Sequence, residues 1–387
     1  MNGKPEPAPR FPGTSRRALL KLLGAGAAGA ALSACAPAPV QSKVYQRPYS
    51  RNPFAAPRIS MDNVIRTVVG LRPYRPAGFV VRRETMDDKI VVHNYGHGGG
   101  GISLSWGSSG LAVREVRDLQ PADAAVLGSG VMGLTTARLL QEAGWNVTIY
   151  TRDMWRHTTS NVAAGEWGPY SVYDSALVGP EFMAQYIQAA RIAHHAFTNL
   201  TGPDYGVRWL ESYALGDRPE LDAFKEDPIG DLFPYQGVYG PGQHPFPSRY
   251  ATYMVTMQID PGVLLRRLTR DFQLAGGRFV IRTFTSIPGV LSLPEPVIFN
   301  CTGLGSRDLF GDEGLTAAKG QLVFFPPDPA VDYMTFGGGR GTLYMFPRSD
   351  VLLLGGTFKR DDFSRNPEAD ETERIVTQHR KIFSEFG

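Results

Sequence analysis

Ala124-Ala125-Val126-Leu127-Gly128-Ser129-Gly130-Val131-Met132-Gly133 is the stretch on which the fold of this chain turns. A short apolar strand runs into a glycine turn. From Val131 to Ala143 the pattern is helical, with Leu134, Ala137 and Leu140 on one face and Gly144 as the stop. A second strand, Asn146 to Tyr150, arrives at the distance that completes a strand-helix-strand unit. In such a unit the glycines let backbone N–H groups and the helix N-terminus meet a pyrophosphate at close range. Thr151-Arg152-Asp153 follow. Asp153 suits ribose hydroxyls and Arg152 a 2′-phosphate, so the fingerprint alone leaves FAD, NAD and NADP open.

A second glycine run, His93-Asn94-Tyr95-Gly96-His97-Gly98-Gly99-Gly100-Gly101, precedes this unit by about one helix. A dinucleotide-binding chain normally opens with the unit itself, so the order needs explaining. Strands from Phe79 to Glu84 and Lys89 to His93, joined by Met86-Asp87-Asp88, are expected to lead into the run, with a helix from about Ile102 to Arg114 after it. Further on, helices are expected over Pro180 to Leu200 and Pro261 to Ala275, then a strand from Arg278 to Phe284. Tyr205 to Tyr250, rich in glycine, proline and aromatic residues, reads as loops and short strands.

Val126 to Tyr170, including Thr158-Thr159-Ser160-Asn161-Val162-Ala163-Ala164-Gly165-Glu166-Trp167-Gly168-Pro169-Tyr170, resembles the amino-terminal flavin-binding segment of the D-amino-acid oxidase family. The resemblance continues in family order through Val297 to Gly303, Lys319-Gly320-Gln321, Tyr344-Met345-Phe346-Pro347 and Leu354-Gly355-Gly356-Thr357-Phe358. The family's carboxyl-terminal blocks are found ahead of the dinucleotide unit instead, as Gly70-Leu71-Arg72-Pro73 and Gly96-His97-Gly98-Gly99. The chain therefore resembles a circularly permuted member, joined between Val113 and Asp123 through the polar stretch Arg117 to Pro121. A fusion of unrelated pieces would leave half a flavin site twice over and no complete one. The expected fold is α/β: a Rossmann-like FAD-binding domain interleaved with an α+β substrate domain on a mixed or antiparallel sheet.

The resemblance implies FAD as cofactor and oxidation of D-amino acids to imino acids by hydride transfer from the α-carbon, followed by hydrolysis to keto acids and ammonia. Electrons would pass to oxygen, giving hydrogen peroxide, or to a respiratory carrier. Arg72 matches the arginine that grips the substrate carboxylate, Tyr344 the tyrosine that reinforces the grip, and the Gly99 backbone the acceptor for the amino group. Implied cofactor contacts are Gly128, Ser129, Gly130, Val131, Met132 and Gly133; Arg152 and Asp153; Thr158, Thr159 and Ser160; Ala164, Gly165 and Glu166; Phe284; Thr302 and Gly303; and Gly98, Gly99, Gly100, Gly101, Ile102 and Ser103. Two departures stand out. Arg340 replaces a second family tyrosine four positions before Tyr344, which would favour D-aspartate or D-glutamate if it reaches the pocket, and Arg152-Asp153 reverses the family's acidic-basic order. By themselves an arginine before proline reads as a surface residue and a strand tyrosine as core packing. His93 and His97 lie four apart without a patterned third ligand, so no metal is expected. A flavoprotein that is tethered to a membrane but has lost turnover is the competing class.

Ser15-Arg16-Arg17-Ala18-Leu19-Leu20-Lys21 matches a twin-arginine export pattern, and Leu32-Ser33-Ala34-Cys35 a lipoprotein cleavage box with Cys35 as the lipidated residue. The expectation is export and a lipid anchor. Residues 1–34 hold five basic residues and one acidic; removing those four net charges takes the formal +3 to −1, so charge gives no case for nucleic acid. The only cysteines are Cys35 and Cys301, which excludes a disulfide framework. The expected layout is signal over 1–34, flexible tether over 35–57, FAD-binding segments at 79–180 and 261–312, and substrate-domain segments at 58–78, 181–260 and 313–387.

Overall fold

The computed structural model describes residues 45–339, 342–384 and 386. The signal, Cys35 and Arg340 lie outside the described residues. Regular structure begins with β1 (Arg66–Tyr74), β2 (Val80–Met86) and β3 (Lys89–Tyr95). Asp87, in the left-handed region at φ 52°, makes the tight turn between the last two. The dinucleotide unit follows as α1 (Gly101–Arg114), β4 (Asp123–Leu127), α2 (Val131–Glu142) and β5 (Asn146–Thr151). Next come α3 (Pro180–Asn199), β6 (Val207–Gly216), α4 (Asp222–Glu226), β7 (Gly237–Tyr239) and β8 (Tyr250–Ile259). They are followed by α5 (Pro261–Leu274), β9 (Arg278–Ile281), α6 (Ile287–Leu291), β10 (Val297–Asn300) and α7 (Ser306–Leu309). The last elements are β11 (Thr316–Phe325), β12 (Tyr333–Gly337), β13 (Tyr344–Pro347), β14 (Leu352–Gly355), β15 (Lys359–Arg360) and α8 (Ala369–Phe383).

These strands form two sheets. The smaller has the order β2-β3-β10-β4-β5-β9, parallel except for β2. Val91, Val92, Ala124, Ala125, Val126, Ile298 and Phe299 are wholly buried in it, as a parallel sheet covered on both faces requires. β10 pairs in parallel with both β3 and β4, so the glycine run after β3 and the glycine turn after β4 leave the same sheet edge, two strands apart. The larger sheet has the order β1-β11-β14-β13-β12-β6-β8-β7, with β15 beside β11; only its β12–β6 pair is parallel. The chain passes repeatedly between the sheets, giving an α/β fold with a mixed second sheet.

Four readings from sequence change. Residues 207–216, within the stretch expected to hold loops and short strands, form the ten-residue strand β6 in the larger sheet, longer than expected. The strand expected to run to Phe284 ends at Ile281. Helix α3 belongs with the dinucleotide layer, because Tyr186, Ala189, Ala190 and Phe197 share one core with Leu104, Leu111 and Val126. From Tyr45 onward the expected tether is packed. Arg47 is buried between Glu211 and Asp332, and Phe54 inserts its ring among Tyr213, Phe246 and Tyr333. A proline-rich stretch without periodicity can still pack when single residues such as these find partners in tertiary structure. Among the described residues no helix is long and apolar enough to cross a membrane.

Candidate active site

One cavity of about 580 Å³ lies between the two sheets, within the usual range for small-molecule sites. Gly128, Ser129, Gly130, Val131 and Met132 line it, where β4 turns into α2. Gly128 has φ +105°, a conformation L side chains rarely adopt, and a Cβ there would stand 2.7 Å from the Cys301 carbonyl. The α2 N-terminus has no side-chain cap on Gly130, although Ser160 Oγ accepts the Val131 N–H at 3.0 Å. Such an uncapped N-terminus opening on a cavity is suited to an anionic group. Ser129 and Thr151 both donate to the Asp153 carbonyl, at 2.7 and 2.6 Å, and so fix the end of β5 beside the turn. Arg152 and Asp153 pair with each other at 2.7 Å on the exposed rim.

Thr158, Thr159, Ser160, Ala164, Gly165, Glu166, Phe284, Thr302, Gly303, Gly98, Gly99, Gly101, Ile102 and Ser103 share the same wall. Gly100 and Gly133 do not. Gly100 faces Pro169 and Val172, and Gly133 faces the Gly128 carbonyl, where it lets helix and turn pack closely. Ser103 Oγ donates to the Glu166 carbonyl and accepts the Gly168 N–H, each at 3.1 Å, binding the start of α1 to the segment after β5. Residues from both sides of 113–123 thus build one cradle. With its glycine turn, its uncapped helix end and its length along the sheet edge, it fits an extended dinucleotide.

The larger sheet supplies the opposite wall. Arg72 on β1 and Tyr344 on β13 are separated by β11 and β14, yet Arg72 Nη2 donates to the Tyr344 hydroxyl at 3.2 Å. The intervening residues explain how. A Cβ on Gly320 of β11 would overlap the Arg72 guanidinium, and one on Gly355 of β14 would overlap the Tyr344 ring. Both side chains therefore lie flat across the sheet. Phe358 lies under the guanidinium at 5.6 Å, and Phe346 stacks on Tyr344 at 5.1 Å.

Three other residues carry no such chemistry: His93 does not line the cavity, while His97 and Cys301 do. His93 bridges Glu84 at 2.7 Å and Asn300 at 3.0 Å. His97 stacks on Phe79 at 4.7 Å, and burial holds its imidazole down to about 3, so it stays neutral. Burial raises the Cys301 thiol to about 12, which makes it unreactive. Sequence reasoning missed the spacers Gly320 and Gly355, which stand in quoted motifs but whose role depends on strand order. It also missed Glu220, in the stretch read as loops and short strands, which lines the cavity with a buried carboxyl.

The FAD dependent oxidoreductase family matches residues 123–387. The D-amino-acid oxidase of Streptomyces coelicolor is 30% identical over 266 residues, covering 68% of this chain and 78% of its own. The D-aspartate oxidase of Homo sapiens is 24% identical over 265 residues, 67% of this chain and 75% of its own. Among solved structures, glycine oxidase from Geobacillus kaustophilus shares the fold, with TM-score 0.51 at 18% identity over 69% of this chain and 80% of that one. The flavin cradle and the sequence kinship agree: this chain is an enzyme of the FAD dependent oxidoreductase family, related to the D-amino-acid oxidases, and its cofactor is FAD.

Proposed function

We propose that the enzyme oxidises D-amino acids to imino acids, which hydrolyse to keto acids and ammonia. The observation that carries this reading is the Arg72–Tyr344 pair, lying on the cavity wall opposite the glycine turn. A guanidinium fork binds a carboxylate through two parallel hydrogen bonds, where an ammonium offers only a point charge. The Tyr344 hydroxyl adds a third donor. A bound FAD would supply the acceptor for a hydride leaving the substrate α-carbon. The protein's own work is to hold the carboxylate at Arg72 and Tyr344 and to orient the amino group toward the Gly99 backbone; an amine that arrives neutral needs no protein base. Retention of both anchors favours turnover over a flavoprotein that only binds.

The experiment is anaerobic flavin bleaching by a panel of D-amino acids. Arg72→Ala should keep its flavin, because the glycine turn is elsewhere. It should lose about 2–5 kcal/mol of transition-state binding, roughly two to three orders of magnitude in kcat/KM. Arg72→Lys should recover only part of this. Near-normal bleaching of the alanine variant by D-amino acids would overturn the reading.

Two further parts belong to this proposal. First, the chain is a circularly permuted member of the family: the family match begins at residue 123, while Arg72 and the 98–103 loop precede it and line the same cavity. Second, it is exported through the twin-arginine pattern at Ser15–Lys21 and anchored by lipid on Cys35. Replacing Arg16 and Arg17 by lysine should hold the protein in the cytoplasm, and Cys35→Ala should abolish lipid labelling. Unchanged fractionation and labelling in both variants would exclude it.

A further inference from the structure

Tyr344, Phe336, Ala214 and Thr252 stand directly opposite one another on β13, β12, β6 and β8. All four line the cavity. With strands about 4.8 Å apart, Thr252 lies roughly 14 Å from Tyr344 along this row. At the Thr252 end, the Glu220 N–H donates to Thr252 Oγ1 at 3.1 Å, which fixes the backbone there. The Glu220 carboxyl is held by nothing comparable. The residue is 9% exposed, and Oε2 is buried without a hydrogen-bond partner among the described residues. Neighbouring Arg218 is exposed, and no charge contributes to the state of the carboxyl; burial alone lifts it to about 8. A buried carboxylate is costly unless a cation meets it, and the described residues supply none here. The cavity is where one can arrive.

We propose that Glu220 anchors the far end of the substrate, accepting the ammonium or guanidinium of a basic D-amino acid whose carboxylate is held by Arg72 and Tyr344. This deepens the D-amino-acid reading above and rests on it. The site then has a cationic pole at Arg72, an acidic pole at Glu220, and an apolar middle formed by Phe336, Ala214 and Met254. A long side chain with a terminal positive charge satisfies both poles. D-alanine reaches only one, and an acidic side chain would bring a second carboxylate toward Glu220.

The test uses the full chain with its flavin bound and compares kcat/KM for D-lysine and D-arginine with that for D-norleucine, which has similar length but no terminal charge; D-alanine is run alongside. The basic substrates should exceed D-norleucine by roughly a hundredfold, within the range for losing one partner of a buried charge pair. In Glu220→Gln that ratio should collapse toward one while flavin content is retained. A wild-type ratio at or below one overturns the proposal, and needs no variant to fold. An unchanged ratio in the Gln variant also overturns it. If D-alanine or D-norleucine bleaches the flavin without any preference for basic substrates, only the role of Glu220 fails. If no D-amino acid bleaches it, the oxidase reading fails as well.

Discussion

Gly320 and Gly355 do their work by lacking a side chain. Arg72 and Tyr344 meet across two strands only because those strands present no Cβ in the gap. Gly320→Ala therefore makes a sharp test at the scale of one methyl group. The methyl would meet the far end of a flexible side chain, so the fold should give way easily, and replacing a strand glycine by alanine lowers the entropy of the unfolded chain, which favours the folded state. Stability should stay within about 1 kcal/mol of the parent by chemical denaturation. The guanidinium, however, would be displaced, and misplacement by about 1 Å costs up to about a hundredfold in rate. The expected outcome is a ten- to hundredfold fall in kcat/KM with full flavin content, from steady-state assay and absorbance of the bound cofactor. An unaltered kcat/KM would show that Arg72 does not need its observed position.

At the scale of elements, the segment ahead of β1 works as a strap on the back of the larger sheet. Arg47 meets Glu211 at 2.5 Å and also pairs with Asp332; Tyr49 and Ser50 each donate a backbone N–H to Glu211, both at 2.8 Å. Tyr333 donates its hydroxyl to the Ala55 carbonyl at 2.7 Å. Glu211 lies on β6 between Leu210 and Ser212, and Ser212 turns toward the cavity, where it donates to Glu166 at 2.9 Å. The strap thus braces from behind a strand that lines the cavity in front. Arg47→Met keeps volume but leaves a fully buried carboxylate without its cation, which should cost about 3 kcal/mol in unfolding free energy. Denaturant unfolding checks this. A change below about 0.5 kcal/mol would mean that the backbone donors suffice.

Over the whole molecule, chain order and spatial order part company. The loop after β3 and the turn after β4 face one cavity, and the Phe54 ring packs against both Tyr45, at 6.5 Å, and Phe386, at 6.4 Å. The two ends of the described chain are therefore close. A rearranged chain that starts at Ala122, runs to Phe386 and continues through a short flexible linker into Tyr45 to Pro121 should keep every sheet pairing. Rearrangements at exposed surface segments are tolerated for this reason. We expect it to bind FAD stoichiometrically and to bleach with the same D-amino acids as the parent. A soluble but flavin-free product would show that the connection through 115–122 is itself needed to form the cradle.

The two-domain α/β class and the attention to Arg72 and Tyr344 came from the family resemblance, while the sequence by itself determined the local pieces: the strand-helix-strand unit around Gly128 and the helices expected from about Ile102 to Arg114 and from Pro261 to Ala275. These are legible because glycine turns, capping and period-3.6 patterns act within a few residues of themselves. Tertiary structure decided the rest. Strand β6 was hidden because its residues, buried on both faces among polar and aromatic neighbours, show no alternation. The packed strap was hidden because one arginine and one phenylalanine carry it, and their partners are about 160 to 330 residues away. Gly320 and Gly355 acquired a purpose only from strand order, and Glu220 only from its place at the end of a row of four strands. Local energetics repeat along a chain and can be read there; a contact between residues far apart in sequence exists only once the sheets have been assembled.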